Sequence, residues 1–155
     1  MKFSEFILPD AILVSLQSPD RDGVIRELAT AVGNAGGMSP EAIDEVVEGL
    51  QSRERSGTTG FGRGVAAPHC KCSQVPRLVG GVGISLRGVD FKALDGKPVY
   101  IVFLLLSPQG QDQAHLRAME VVFRNLNKDT FRKFLRAADT RGRVLELLNE
   151  ADEGK

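Results

Sequence analysis

The chain has 155 residues, 42% of them apolar, enough for one compact domain with its own core and too apolar for intrinsic disorder. Twenty lysines and arginines balance twenty aspartates and glutamates, so no net field draws the molecule onto nucleic acid or an anionic membrane. No run approaches the ~18 to 20 uncharged apolar residues of a membrane span, the start shows no export signal, and Cys70 and Cys72 are too few and too close for a secreted disulfide framework, which predicts a reducing cytoplasmic setting without membrane insertion.

Ile12, Val14 and Leu16 alternate within 11–16 and predict a short strand. Ser18-Pro19-Asp20 then predicts a helix start with proline at the first helical position. Val24, Ile25, Leu28, Ala31 and Val32 share one helical face, which stops at Gly33-Asn34-Ala35-Gly36-Gly37. Ser39 as cap, Pro40 in the first turn and Glu41 against the dipole open a second helix at about 40 to 55, with Ile43, Val46, Val47 and Leu50 inward. From Ser56 to His69, four glycines and two threonines cannot sustain a helix and predict a loop feeding a short strand.

The near-continuous apolar runs 78–86 and 99–107 read as central strands joined through an Asp95-Gly96 turn. Helical spacing resumes with Leu116, Met119, Val122, Phe123 and Leu126 in one stripe and Asp112 as cap. Asp129-Thr130 starts another helix carrying Phe131, Phe134, Leu135 and Ala138, and Val144, Leu145, Leu147 and Leu148 mark a short last one. The polar tail 150–155 is expected to fray. No linker, repeat or low-complexity tract interrupts this order, which predicts one α/β domain over 1–155 with a mixed sheet.

Two histidines carry the chemistry. Pro68 stiffens the backbone that presents His69, and His115 falls in the first turn of a predicted helix, where unpaired N–H groups favour an anion. Brought together, the two imidazoles and the helix N-terminus make a phosphate site; kept apart, each is an ordinary structural or surface histidine. The glycine-rich run matches neither a P-loop nor a dinucleotide fingerprint. His69, Cys70 and Cys72 fall short of the four ligands of a structural zinc site, so no metal is expected. No Cys-x-x-Cys pair or serine elbow is present. Arg53-Glu54-Arg55 by itself reads as a solvated helix end.

Taken in order, Arg53-Glu54-Arg55, Ser56-Gly57-Thr58-Thr59-Gly60, Gly62-Arg63-Gly64-Val65-Ala66-Ala67-Pro68-His69, Gly88-Val89-Asp90-Phe91, Asp95-Gly96-Lys97-Pro98-Val99 and His115-Leu116 resemble the type-2 IIA domain of the phosphoenolpyruvate-dependent sugar phosphotransferase system. The likeness runs from about Phe3 to Leu148 and is greatest to the nitrogen-regulatory branch of the fructose/mannitol group. The resemblance implies a mixed central sheet with helices on both faces. It implies that His69 accepts a phosphoryl group on Nε2 from the phosphohistidine of HPr or a nitrogen-branch homologue. It further makes His115 the second active-site histidine and Arg53 the active-site arginine, with no metal or organic cofactor.

A neutral imidazole nitrogen is available near neutral pH, and transfer needs alignment and electrostatic stabilisation of the phosphoryl oxygens, for which Thr58, Thr59 and Arg63 are further candidates. Three residues depart from the family pattern: Cys70 stands where glycine is usual, Ala67 where a branched apolar residue is, and Arg63 where asparagine is common. Phe61, Val65 and Leu116 are either a docking face or core. The alternative readings are a regulatory module whose binding to a kinase or transporter is gated by His69 phosphorylation, a fructose-type transport component passing the group to a IIB protein, and a metal or thiol sensor at His69, Cys70 and Cys72.

Overall fold

The computed structural model describes residues 1–154. After a 3-10 turn at Phe3–Glu5 come β1 (Ile7–Leu13), α1 (Arg21–Ala35), α2 (Pro40–Ser56), β2 (Gly60–Gly62), β3 (Val65–Ala66), β4 (His69–Lys71), β5 (Val79–Val89), β6 (Val99–Ser107), α3 (Asp112–Leu126), α4 (Asp129–Ala137) and α5 (Arg141–Asp152). The six strands form one sheet in the order β1-β5-β6-β3-β2, with β4 also paired to β6. Pairing is parallel for β1–β5, β3–β6 and β4–β6 and antiparallel for β5–β6 and β2–β3, so the sheet is mixed, as the short connections predict.

Alternation along β6 divides the core. Val102, Leu104 and Leu106 face one layer with Val24, Ile25, Leu28 and Val32 of α1 and Val46, Val47 and Leu50 of α2. Ile101, Phe103 and Leu105 face the other, with Val121 and Val122 of α3, Leu135 of α4 and Val144 and Leu147 of α5. Both faces of this apolar strand are therefore covered, which its near-continuous hydrophobic run requires.

Ser39 caps α2 by accepting from the Ala42 N–H at 3.2 Å. Other boundaries differ from expectation. Pro19 lies outside α1, because Asp20 is the cap and accepts from the Gly23 N–H at 2.7 Å. The predicted stop at Gly33 is crossed: α1 runs on to Ala35, and Gly33 is buried where a Cβ would stand 2.4 Å from Ile43 Cγ1, so the absent side chain lets α2 approach. The first strand begins at Ile7, upstream of the alternating segment.

Asp112 is the first residue of α3 rather than its cap, which is Gln111 with no side-chain hydrogen bond. The buried stripe of α3 is His115, Ala118, Val121, Val122, Asn125 and Leu126, rotated from the predicted one, and Leu116 points outward at 60% exposure. Phe134 is likewise exposed. The polar tail is helical through Asp152, whose carboxylate accepts from the Phe3 and Ser4 N–H groups at 2.6 and 3.0 Å, tying the two ends of the domain together. Lys155 lies outside the described residues.

Gly81 in β5 faces α1, where a Cβ would meet the Ala11 carbonyl oxygen at 2.6 Å and Val32 Cγ2 at 2.8 Å. A backbone oxygen held in a parallel ladder cannot yield as a side chain does. Gly81→Ala is expected to destabilise the domain by about 1 to 3 kcal/mol through overpacking; a urea midpoint unchanged from wild type would disprove this close approach.

Candidate functional site

β4 is three residues long, and its register sets the site: His69 pairs with Leu105, Cys70 with Leu106 and Lys71 with Ser107. Strand alternation sends His69 and Lys71 to the α3 face and Cys70 to the α1/α2 face. The partners agree, since Lys71 Nζ reaches Asp112 Oδ1 at 2.5 Å in the first turn of α3, while Cys70 and Cys72 pack in the α1/α2 core. Cys70 therefore stands on the opposite side of the strand from the His69 ring, although it is adjacent in sequence.

The rings of His69 and His115 lie 5.2 Å apart, centroid to centroid, at 51°. His69 is half-buried, and its Nδ1 lies 2.8 Å from the Ala67 carbonyl oxygen. A carbonyl only accepts, so in the neutral ring Nδ1 carries the proton and Nε2 holds the lone pair. His115 Nδ1 is 2.6 Å from the Ser107 hydroxyl, which is itself buried at the end of β6. Each imidazole is thus anchored through Nδ1, and among the described residues Nε2 of neither ring has a hydrogen-bond partner. Burial, then the neighbouring His69 and Lys71, holds His115 below the usual histidine range, with Asp112 opposing. Lys71 in turn keeps Asp112 below the ordinary carboxylate range.

Arg53 is exposed at the end of α2, where Nη1 donates to the Gly57 carbonyl at 2.8 Å, and no hydrogen bond or ion pair joins it to either histidine among the described residues. The link from α2 to His69 starts instead at the neighbouring Glu54 and runs through the following loop. The Ala67 N–H donates to the Thr59 carbonyl at 3.2 Å, and the Ala67 carbonyl in turn receives His69 Nδ1.

Thr59 is fixed by Glu54, whose carboxylate accepts its N–H at 2.5 Å and its hydroxyl at 2.7 Å. The Thr58 hydroxyl donates to the Phe91 carbonyl at 2.7 Å. Both threonine hydroxyls are thus used in building the loop. Arg63 is exposed at φ +60°, with its N–H on Asp95 Oδ2 at 3.1 Å. It precedes Val65, which pairs with Ile101, whereas His69 pairs with Leu105. Four residues of strand, roughly 13 Å, separate the two pairings. Arg63 instead borders a shallow basin with Arg132, Lys133 and Arg136.

Glu54 and Ser107 were not singled out in the sequence. Glu54 is 1% exposed, so the charged triplet 53–55 is not wholly a solvated helix end. The signal was available, because Glu54 stands four residues after Leu50 and seven after Val47, on the apolar face of α2. Ser107 had no comparable mark. Of the three apolar residues flanking the site, Val65 is core, Phe61 is half-buried against Phe123 with ring centroids 4.6 Å apart, and Leu116 is exposed beside His115.

Residues 5–151 match the family described as "Phosphoenolpyruvate-dependent sugar phosphotransferase system, EIIA 2". The chain is 36% identical over 138 residues to a nitrogen regulatory protein of Bradyrhizobium diazoefficiens, covering 89% of this chain and 88% of that protein. It is 29% identical over 153 residues to the fructose-specific EIIABC component of Bacillus subtilis; the match covers 99% of this chain but only 24% of that protein's length. The crystal structure of the nitrogen regulatory protein IIA-Ntr from Neisseria meningitidis superposes with a TM-score of 0.85 at 26% identity, covering 94% of this chain and 98% of that one.

The depressed His115 makes a pH prediction. Its folded form binds a proton less readily than the unfolded chain, whose histidine titrates near ~6.5, so stability is full above that pH and falls as pH drops toward the lowered value. Urea midpoints measured at steps below neutrality should fall less for His115→Asn than for wild type; parallel profiles would refute the burial effect.

Proposed function

The chain belongs to the EIIA 2 family of the phosphoenolpyruvate-dependent sugar phosphotransferase system, and we propose that it is a cytoplasmic phosphocarrier of that system in which His69 Nε2 accepts a phosphoryl group from the phosphohistidine of an HPr-like protein. The observation that carries this reading is the 2.8 Å contact of His69 Nδ1 with the Ala67 carbonyl, which leaves the lone pair on Nε2, beside a second imidazole 5.2 Å away. The bond from phosphorus to the donor nitrogen breaks as the bond to Nε2 forms, with donor and acceptor nitrogens in line and charge spread over three oxygens. Nδ1 keeps its proton and donates it to the Ala67 carbonyl, which steadies the ring as Nε2 becomes phosphorylated.

His115 stabilises those oxygens. With Nδ1 accepting from the Ser107 hydroxyl, Nε2 carries the N–H and points a donor out of the pair. Its low proton affinity keeps it neutral before the anion arrives and lets it gain a proton when the anion's charge raises that affinity. The uncapped first turn of α3 adds N–H groups of the same polarity. Arg53, exposed and held only by the Gly57 carbonyl, exchanges that oxygen for a phosphoryl oxygen. Leu116, exposed one residue beyond His115, gives the donor an apolar contact at the rim.

The nitrogen-regulatory branch is supported by the Bradyrhizobium relative, which matches this chain over most of both lengths. In that reading the phosphorylation state of His69 is the signal, read by a regulated kinase or transporter. The fructose-specific relative supports a second reading, onward transfer to a IIB component.

Incubation with phosphoenolpyruvate, the first enzyme of the relay and HPr is expected to label wild type and leave His69→Ala unlabelled; label retained by that variant would end the assignment. His115→Ala and Arg53→Ala should each slow labelling about ten- to a hundredfold, the equivalent of a charge-assisted hydrogen bond of roughly 1.5 to 3 kcal/mol. Appearance of the label on a purified fructose-type IIB protein would decide for transport over regulation.

A further inference from the structure

The strand that presents His69 has a second face, which phosphoryl transfer does not use. Cys70 lies on it, paired with Leu106, and Cys72, one residue past the strand's end, turns to the same core; both are free thiols of the α1/α2 layer, Cys72 buried and Cys70 half-buried. Two positions apart on one side of the chain, the thiols stand side by side. Their mutual hydrogen bonding, first among the causes, lowers Cys72 to about 7 and, with burial, pushes Cys70 upward, so Cys72 is the thiol that ionises more readily. Burial opposes the shift at Cys72, while the Gln74 and Val75 N–H groups assist it.

We infer that Cys70 and Cys72 are a redox dithiol, closed to an intrachain disulfide by a hydroperoxide, and that closure buckles β4 and displaces His69 from His115. The Cys72 thiolate attacks the peroxide, breaking the O–O bond; the alkoxide or hydroxide leaves as alcohol or water after taking a proton, and Cys72 becomes a sulfenic acid. The Cys70 sulfur then attacks the Cys72 sulfur and gives up its proton, and hydroxide departs with that proton as water. The thiolate and thiol together lose two electrons and one proton, and with one further proton taken from water the hydroperoxide is reduced to alcohol and water.

The strand cannot remain as it is when this happens. Residues two apart in a strand have Cα atoms roughly 6.6 Å apart, at the long end of what a disulfide spans, whereas most bridges have about 5.5 to 6 Å. The contraction, on the order of 1 Å, falls on Lys71 between the cysteines. Lys71 holds Asp112 at the start of α3, and the Cys72 N–H donates to the Ser107 carbonyl at 2.9 Å, on the residue whose hydroxyl anchors His115. β4 yields because it is three residues long and is paired to β6 alone. The pull therefore reaches both imidazoles, through His69 on the same strand and through Ser107 on the next.

The consequence for phosphoryl transfer rests on the function proposed above, but the dithiol and its effect on the rings do not, and the test needs no phosphodonor. The purified full chain is treated with hydrogen peroxide or left in dithiothreitol, denatured, alkylated with iodoacetamide and cut with trypsin, which cleaves after Lys71, between the cysteines. The expected result is that reduced protein yields alkylated fragments 64–71 and 72–77 separately, while oxidised protein yields them joined and unalkylated. The imidazole proton resonances of His69 and His115 are followed in the same samples. Both should shift on oxidation, return with dithiothreitol, and stay fixed in Cys70→Ser and in Cys72→Ala. Separate fragments after peroxide, or sulfinic acid on either cysteine in place of the bridge, would overturn the dithiol. Joined fragments with unmoved ring resonances would overturn its coupling to the site.

Discussion

The parallel pairing of His69, Cys70 and Lys71 with Leu105, Leu106 and Ser107 is the constraint on which the site depends. It places His69 and Ser107 toward α3 and makes Ser107 the anchor of His115, so both imidazoles are positioned by two adjacent strand ends. A slip of one residue would turn the His69 ring into the apolar layer against α1 and α2 and bring Cys70 to face α3. What prevents the slip is the division of β6 between two cores, since every residue from Ile101 to Leu106 is buried in one or the other. Hydrophobic burial across some six residues thus holds in place a three-residue strand that makes few ladder bonds of its own.

A second line of control enters through Glu54. A buried carboxylate is unfavourable unless hydrogen-bonded, and this one spends both oxygens on Thr59. The Thr59 carbonyl holds the Ala67 N–H, and the Ala67 carbonyl selects the His69 tautomer. The nitrogen of His69 left free is therefore specified from a helix end fifteen residues earlier, through hydrogen bonds that start at Glu54. Arg53, next in sequence to Glu54, faces solvent while its neighbour faces the core. One helix end thus supplies a buried anchor and an exposed cation.

Much of this was legible in the sequence. The long apolar strands, the Ser39-Pro40 helix start and the mixed sheet follow from runs, caps and loop lengths, which are local signals. His69 and His115 could be named, but their approach could not be derived from spacing, because it arises from strand pairing across some forty residues. The errors have physical reasons. Pro19 preceded a stronger cap in Asp20, and the α3 stripe was placed by apolar residues although its buried face includes His115 and Asn125, polar groups satisfied by Ser107 and the Val121 carbonyl. The tail 150–152 looked frayed because its stabilising partners, the N–H groups of Phe3 and Ser4, come from the other end of the chain.

The electrostatics around the two imidazoles suit the transfer proposed for them. His115 is held toward its neutral form by burial, and the exposed Arg53 charge rests on a backbone oxygen, so among the described residues no buried cation stands uncompensated beside the two rings. The Lys71 charge next to the pair is already matched by Asp112. In the proposed transfer an arriving phosphoryl group would find donors that cost little to leave unoccupied, and its departure would strand no charge. A site lined by fixed cations would bind the phosphorylated state more tightly and resist release, because interactions equally strong in the bound state and the transition state add affinity without speed. Arg63, displaced along β6, leaves this balance undisturbed.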